Sequence, residues 1–147
     1  MSQLESHLGF WLRFVSNHVS GQFKRGVEAN GVSVSEWVAL RQLYNGGEAT
    51  AALLMDALGM TKVAVSKIVT RLQEKGLVTH AAAGADRRAQ QIVLCIEGRK
   101  LVPKLARLAD DNDEAFFSHP DPALRAQLTS AMQEIARTHQ LKQLPVE

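Results

Sequence analysis

Two short helical periods separated by one glycine turn set the tightest limit on what this chain can form. Leu54 and Leu58 point one way along a run that Thr50 can cap and Gly59 closes. From Thr61 to Lys75, Val65, Ile68, Val69 and Leu72 then recur at i, i+3, i+4 and i+7 until Gly76 stops the run. After Gly76 the period changes. Leu77-Val78-Thr79 and Gln91-Ile92-Val93-Leu94 are short β-prone runs separated by residues 81–88, which reads as a two-stranded hairpin. Two short helices joined by a glycine turn and followed by a hairpin make a helix-turn-helix with a wing.

Longer helices flank this unit. Leu4, Leu8, Trp11, Val15 and Val19, broadened by Leu12 and Phe23, line one side of a helix from Leu4 to about Ala29, ended by Asn30-Gly31. Ser33 and Glu36 have capping-box spacing, with Val32 and Trp37 at the staple positions, so a second helix begins near Val34 and runs to Asn45-Gly46-Gly47. A long helix is expected from about Glu97 to Phe117, where Pro103 either bends it or marks its true start. Asp121-Pro122 opens a last helix, to about Leu141, with Leu124, Leu128, Ala131, Met132 and Ile135 on one face. The expected fold is mainly α with a small β-hairpin wing, residues 33–95 forming the winged helix-turn-helix within a single unit of 1–147.

Bulk properties exclude several classes. At 147 residues and 46% apolar content the chain suits one domain with its own core. Cys95 is the only cysteine, so neither a disulfide framework nor a cysteine-rich zinc site can form, which fits a reducing cytoplasm. As a residue it reads as a small buried hydrophobe, with redox sensing the alternative. No apolar run is long enough to span a bilayer, and residues 1–5 lack a basic leader, so no membrane association is expected. The five histidines have no paired ligand spacing, and no glycine-rich phosphate loop, nucleophile elbow or Ser/His/Asp set is present. The expectation is a protein without catalytic residues, metal or cofactor.

What remains is the outward face of the helix from Thr61 to Lys75. Outside its apolar stripe lie Thr61, Lys62, Ser66, Lys67, Thr70 and Arg71, hydroxyls and cations that can bond phosphate oxygens or base edges. The helix N-terminus adds backbone N–H groups and a favourable dipole for phosphate. An ordinary solvated face has the same composition, and the hairpin decides between them. At its tip Asp86 stands two residues before Arg88, where a carboxylate can hold the guanidinium extended while Arg87 stays free for phosphate. An arginine so placed can enter a narrow minor groove. Double-stranded DNA is the partner this pattern fits, although the formal net charge of +2 is modest.

The ordered set Val65-Ser66-Lys67-Ile68-Val69-Thr70-Arg71-Leu72-Gln73-Glu74-Lys75-Gly76-Leu77-Val78, then Asp86-Arg87-Arg88-Ala89, then Leu94 and Gly98 resembles the recognition helix, wing and following helix of MarR-family transcription regulators. The resemblance implies an obligate homodimer, with residues 4–29 and 97–141 as the dimerisation region, on a pseudo-palindromic operator. Half-site centres would lie roughly 10 bp apart. Repression is what the resemblance implies by default. It also implies a small aromatic or anionic effector, held between dimer helices and winged lobe, for which Trp11, His18, Trp37 and Arg41 are the candidate lining residues; their spacing suits core packing equally well.

The chain departs from the family pattern at Thr70, where an acidic residue is frequent, at His80, where a basic one is, and at Cys95, where threonine is. The stretch before Asp86 is alanine-rich rather than basic, so few phosphate contacts and a shallow salt dependence are expected of the wing. The same alanine-rich wing and low charge are what a winged-helix protein-interaction module without DNA binding would carry.

Overall fold

The computed structural model describes residues 1–46, 48–83, 86–119 and 121–147, with the side chains of 48, 82, 83 and 86–89 left outside the description. Helix α1, Leu8–Ala29, follows a short 3-10 turn at Leu4–Ser6. The helix therefore starts one turn later than the expected Leu4. His7 takes extended backbone (φ −93°, ψ 125°) and interrupts the helix there, while the Trp11 indole N–H donates to the Glu5 carbonyl across the bend at 2.8 Å.

Helix α2, Val34–Gly46, opens on Ser33, whose hydroxyl accepts the Glu36 N–H at 3.1 Å. Only this half of the capping box forms. The Glu36 carboxylate does not turn back to Ser33 but accepts from Lys75 Nζ at 2.6 Å, thirty-nine residues along the chain. Helix α3, Ala51–Leu58, is capped by Thr50 and closed by Gly59 in the left-handed region (φ 63°), which a residue with Cβ enters only with strain. Helix α4, Lys62–Glu74, begins at Thr61, whose hydroxyl accepts the Ala64 N–H at 3.2 Å.

The wing consists of β2, Val78–Ala83, antiparallel to β3, Asp86–Leu94. A further two-residue strand β1, Glu48–Ala49, pairs with Val93 and Ile92, so β3 is central in the order β1-β3-β2. The expected hairpin is thus part of a three-stranded sheet. The ladder shifts register between Ala82 and Ala83: Ala82 pairs with Gln90 and Ala83 with Asp86. Of the expected break Asn45-Gly46-Gly47, Asn45 and Gly46 still belong to α2; Gly47 and the loop residues 84 and 85 fall outside the described residues.

Helix α5, Ile96–Phe117, runs through Pro103 without a break. A mid-helix proline forfeits one backbone hydrogen bond. Val102 and Leu105 beside it are completely buried, and that burial outweighs the loss. Gly98 near its start lies so close to the Leu77 carbonyl that a Cβ would collide with it, seating α5 directly on the entry to β2. Helix α6, Pro122–Thr138, follows its Asp121 cap and ends three residues short of the expected Leu141.

The core belongs to the winged unit. Leu40, Leu43, Leu54, Leu72, Ile92 and Leu105 are its largest fully buried members, drawn from α2, α3, α4, β3 and α5. Helix α6 buries nothing, and α1 buries only Val27. Their apolar stripes remain open, with Leu8 at 70% and Met132 at 49% exposure.

Candidate nucleic-acid interface

The turn at Gly59 and the cap at Thr61 aim α4. Val65, Ile68, Val69 and Leu72 pin one side of it into the core. The opposite side is bare: Lys62, Ser66, Lys67, Thr70 and Arg71 are all exposed and line one shallow concavity together with Val63 and Glu74. Thr61 is exposed too, but its hydroxyl oxygen is engaged in capping, leaving its O–H free to donate outward. Two members of this surface, Val63 and Glu74, lie outside the set expected from the sequence. Both follow from helical spacing, since Val63 precedes Ser66 by three residues and Glu74 follows Thr70 by four.

This surface combines three cations and two free hydroxyls at the N-terminal end and middle of a helix, with one carboxylate at its C-terminal end. The charge order matches the helix dipole poorly, because Lys62 stands at the positive end. A polyanion laid across the N-terminal half would relieve that mismatch and meet unpaired backbone N–H groups. The backbone of Asp86, Arg87 and Arg88 lies at the outer end of β3, within the register irregularity; their side chains, and the Asp86–Arg88 pairing expected from the sequence, lie outside the described residues.

The four residues expected around an effector do not share one cavity. Trp37 and Arg41 line a hollow between α1 and α2, with Phe23 and Ser20 on one side and the C-terminal tail, Leu144, Pro145 and Glu147, on the other. Trp37 meets Phe23 edge to face at 6.3 Å, and Arg41 lies 6.0 Å from the Tyr44 ring centre. Trp11 lines a separate apolar groove between α1, the end of α5 and α6, beside Phe116, Leu128 and Met132. His18 stacks on Phe14 at 4.8 Å and is exposed; it lines neither. The tail carries no sequence signal. It reaches back past the turn between α3 and α4, where a Cβ on residue 59 would come within 2.7 Å of Gln143 Cδ.

Cys95 is half-buried at the N-cap of α5, its N–H bonded to the Leu77 carbonyl at 2.9 Å. Among the described residues, no group of three or more His, Cys, Asp or Glu is gathered as a metal site would require, and no helix is long and apolar enough to cross a membrane.

The sequence model of the MarR family matches residues 30–89, from the end of α1 to the wing. No curated protein sequence matches the chain significantly. Among solved structures, BpsR of Bordetella bronchiseptica, described as having its DNA binding regulated by 6-hydroxynicotinic acid, superposes with a TM-score of 0.77 at 20% identity, covering 92% of this chain and 97% of its own. CouR of Rhodococcus jostii RHA1, solved with p-coumaroyl-CoA, gives 0.77 at 23%, covering 92% and 96%. MepR of Staphylococcus aureus, a regulator of the multidrug efflux pump MepA, gives 0.75 at 19%, covering 90% and 98%. At these identities the superpositions establish the fold, six helices with an antiparallel wing, and the match over residues 30–89 shows that the winged helix-turn-helix segment of this chain is similar to the MarR family.

Proposed function

We propose that the chain acts in the cytoplasm as a homodimer that binds a pseudo-palindromic operator in double-stranded DNA and represses transcription. The observation that carries this reading is the two-sidedness of α4, whose apolar side is buried in the core while Lys62, Ser66, Lys67, Thr70 and Arg71 stand exposed in one concavity. Such a helix enters a major groove with its N-terminal residues at the base edges, and its cations and hydroxyls take phosphates on either side. At the wing tip Arg88, oriented by Asp86, reaches the adjoining minor groove, while Arg87 takes a phosphate.

Dimerisation, through residues 4–29 and 97–141, is supported by the open apolar stripes of α1 and α6. Leu8, Trp11, Leu128 and Met132 are exposed along one apolar groove, surface of the kind that a second subunit covers. A small aromatic or anionic effector fits the hollow of Trp37 and Arg41, which offers one flat apolar ring and one cation. The ligands named for BpsR and CouR, a hydroxylated pyridine acid and an aromatic acyl thioester, are of the same general chemistry.

The test is fluorescence anisotropy of the purified protein on a labelled duplex from its own upstream region against a scrambled duplex, at two salt concentrations. Preference for the native duplex by roughly a thousandfold is expected of a specific regulator. If that duplex wins no preference and a random pool yields no enriched site, the protein-interaction reading replaces this one.

A further inference from the structure

Val63 is a β-branched apolar residue on the first turn of α4, and it is 65% exposed. Every other valine, isoleucine or leucine of that helix is buried. An exposed valine forgoes core packing and carries a poorer helix propensity than alanine or lysine at the same place. Its position is specific. Val63, Ser66, Lys67 and Thr70 follow one another at i, i+3, i+4 and i+7, and all four line the concavity described above. The result is an apolar spot at the N-terminal end of a basic, hydroxyl-rich face, on the turn that reaches deepest when a helix of this kind docks.

Of the groups that unmodified base pairs present in the major groove, all are hydrogen-bond donors or acceptors except the small C5–H of cytosine and the protruding 5-methyl of thymine. For that methyl, small apolar side chains are the complementary partner. We propose that Val63 packs against a thymine methyl and so makes thymine a specified base in each half-site, while Ser66 and Lys67 beside it fix the depth of the helix through polar contacts. The inference rests on the reading of α4 as the recognition helix. It adds a base identity that the polar residues do not supply, because a hydroxyl or an ammonium accepts more than one base edge. In a homodimer the contact occurs twice, so the same thymine recurs at symmetry-related positions.

Deoxyuridine tests it, since it pairs as thymine does and lacks only the methyl group. Duplexes are first selected from a random pool by the full chain. The thymines of the selected site are then replaced one pair of symmetric positions at a time, and affinities are measured for the wild type and for Val63→Ala. Because Val63 is exposed, Val63→Ala is expected to keep its circular dichroism and melting temperature, which are checked first. The wild type should lose about fourfold in affinity per methyl removed at one symmetric pair of positions, about an order of magnitude for both together. Val63→Ala should bind the thymine and uracil duplexes equally. Equal wild-type affinity for both duplexes at every position overturns the inference while leaving DNA binding intact. Methyl dependence that persists in Val63→Ala also overturns it, and assigns the contact to the Thr70 methyl or to Ala64. Failure to select any site overturns the reading of α4 itself, and this inference with it.

Discussion

Lys75, the residue that ends α4, holds its ammonium 2.6 Å from the carboxylate of Glu36, which is buried in the first turn of α2 with its side chain 4% exposed. The bond ties the far end of α4, the proposed recognition helix, to the helix that lines the proposed effector hollow. Lys75 itself is 37% exposed, so solvent weakens the attraction, but Glu36 has no such relief. Replacing Lys75 with methionine strands a buried carboxylate and should cost about 2 kcal/mol in urea denaturation, whereas the double variant Glu36→Gln with Lys75→Met should recover most of the loss. Equal stability of wild type and Lys75→Met would mean that water already satisfies Glu36.

The exposed cations of α4 should act on affinity and leave folding alone. Lys67→Ala or Arg71→Ala is expected to weaken operator binding at every sequence and to lower the slope of log K against log salt by about 1 for each phosphate no longer neutralised, hence about 2 for a dimer. A slope unchanged in both variants would place the phosphates elsewhere.

Charge introduced on α6 should separate the subunits. Met132 is 49% exposed and shares its groove with Trp11 and Leu128. Met132→Glu would bring two like charges onto a two-fold interface, raising the dimer dissociation constant by about a hundredfold. Sedimentation velocity at low micromolar concentration should then show a monomer with unchanged helicity, and a persisting dimer would move the interface off this face.

Gly98 offers the sharpest steric test. A methyl group there meets the Leu77 carbonyl, which is already bound by the Cys95 N–H. Gly98→Ala should destabilise the fold by about 2 kcal/mol or more in denaturant titration, since neither backbone can retreat without shifting the wing strands. A neutral result would show that α5 slides freely on β2.

The parts of this fold that local chemistry writes are legible in the sequence. Thr50 and Gly59 mark the two ends of α3, Ser33 marks the start of α2, and the period of Val65, Ile68, Val69 and Leu72 marks the buried side of α4. What stays hidden depends on distant partners. Strand β1 is two residues long and exists only by pairing with Ile92 and Val93. Glu36 reads as a capping side chain because Ser33 is near in sequence, whereas Lys75, nearer in space to its carboxylate, takes it instead. Helical spacing puts Trp11 and His18 on one side of α1, but that side meets different neighbours along its length, so only Trp11 faces α6. Val63 shares the helical spacing of Ser66 and Thr70, but an apolar residue in a helix reads as core until its exposure is known.

The packing of the segment after α6 has a practical side. Gln143 is packed over Gly59, Val146 against the core, and Leu144, Pro145 and Glu147 form one wall of the hollow that holds Trp37 and Arg41. A purification handle fused after Glu147 would start from that wall, beside the turn that aims α4, and would report on a protein whose hollow and turn had both been disturbed. A handle fused ahead of Met1, where residues 1–9 are exposed, leaves them as they are.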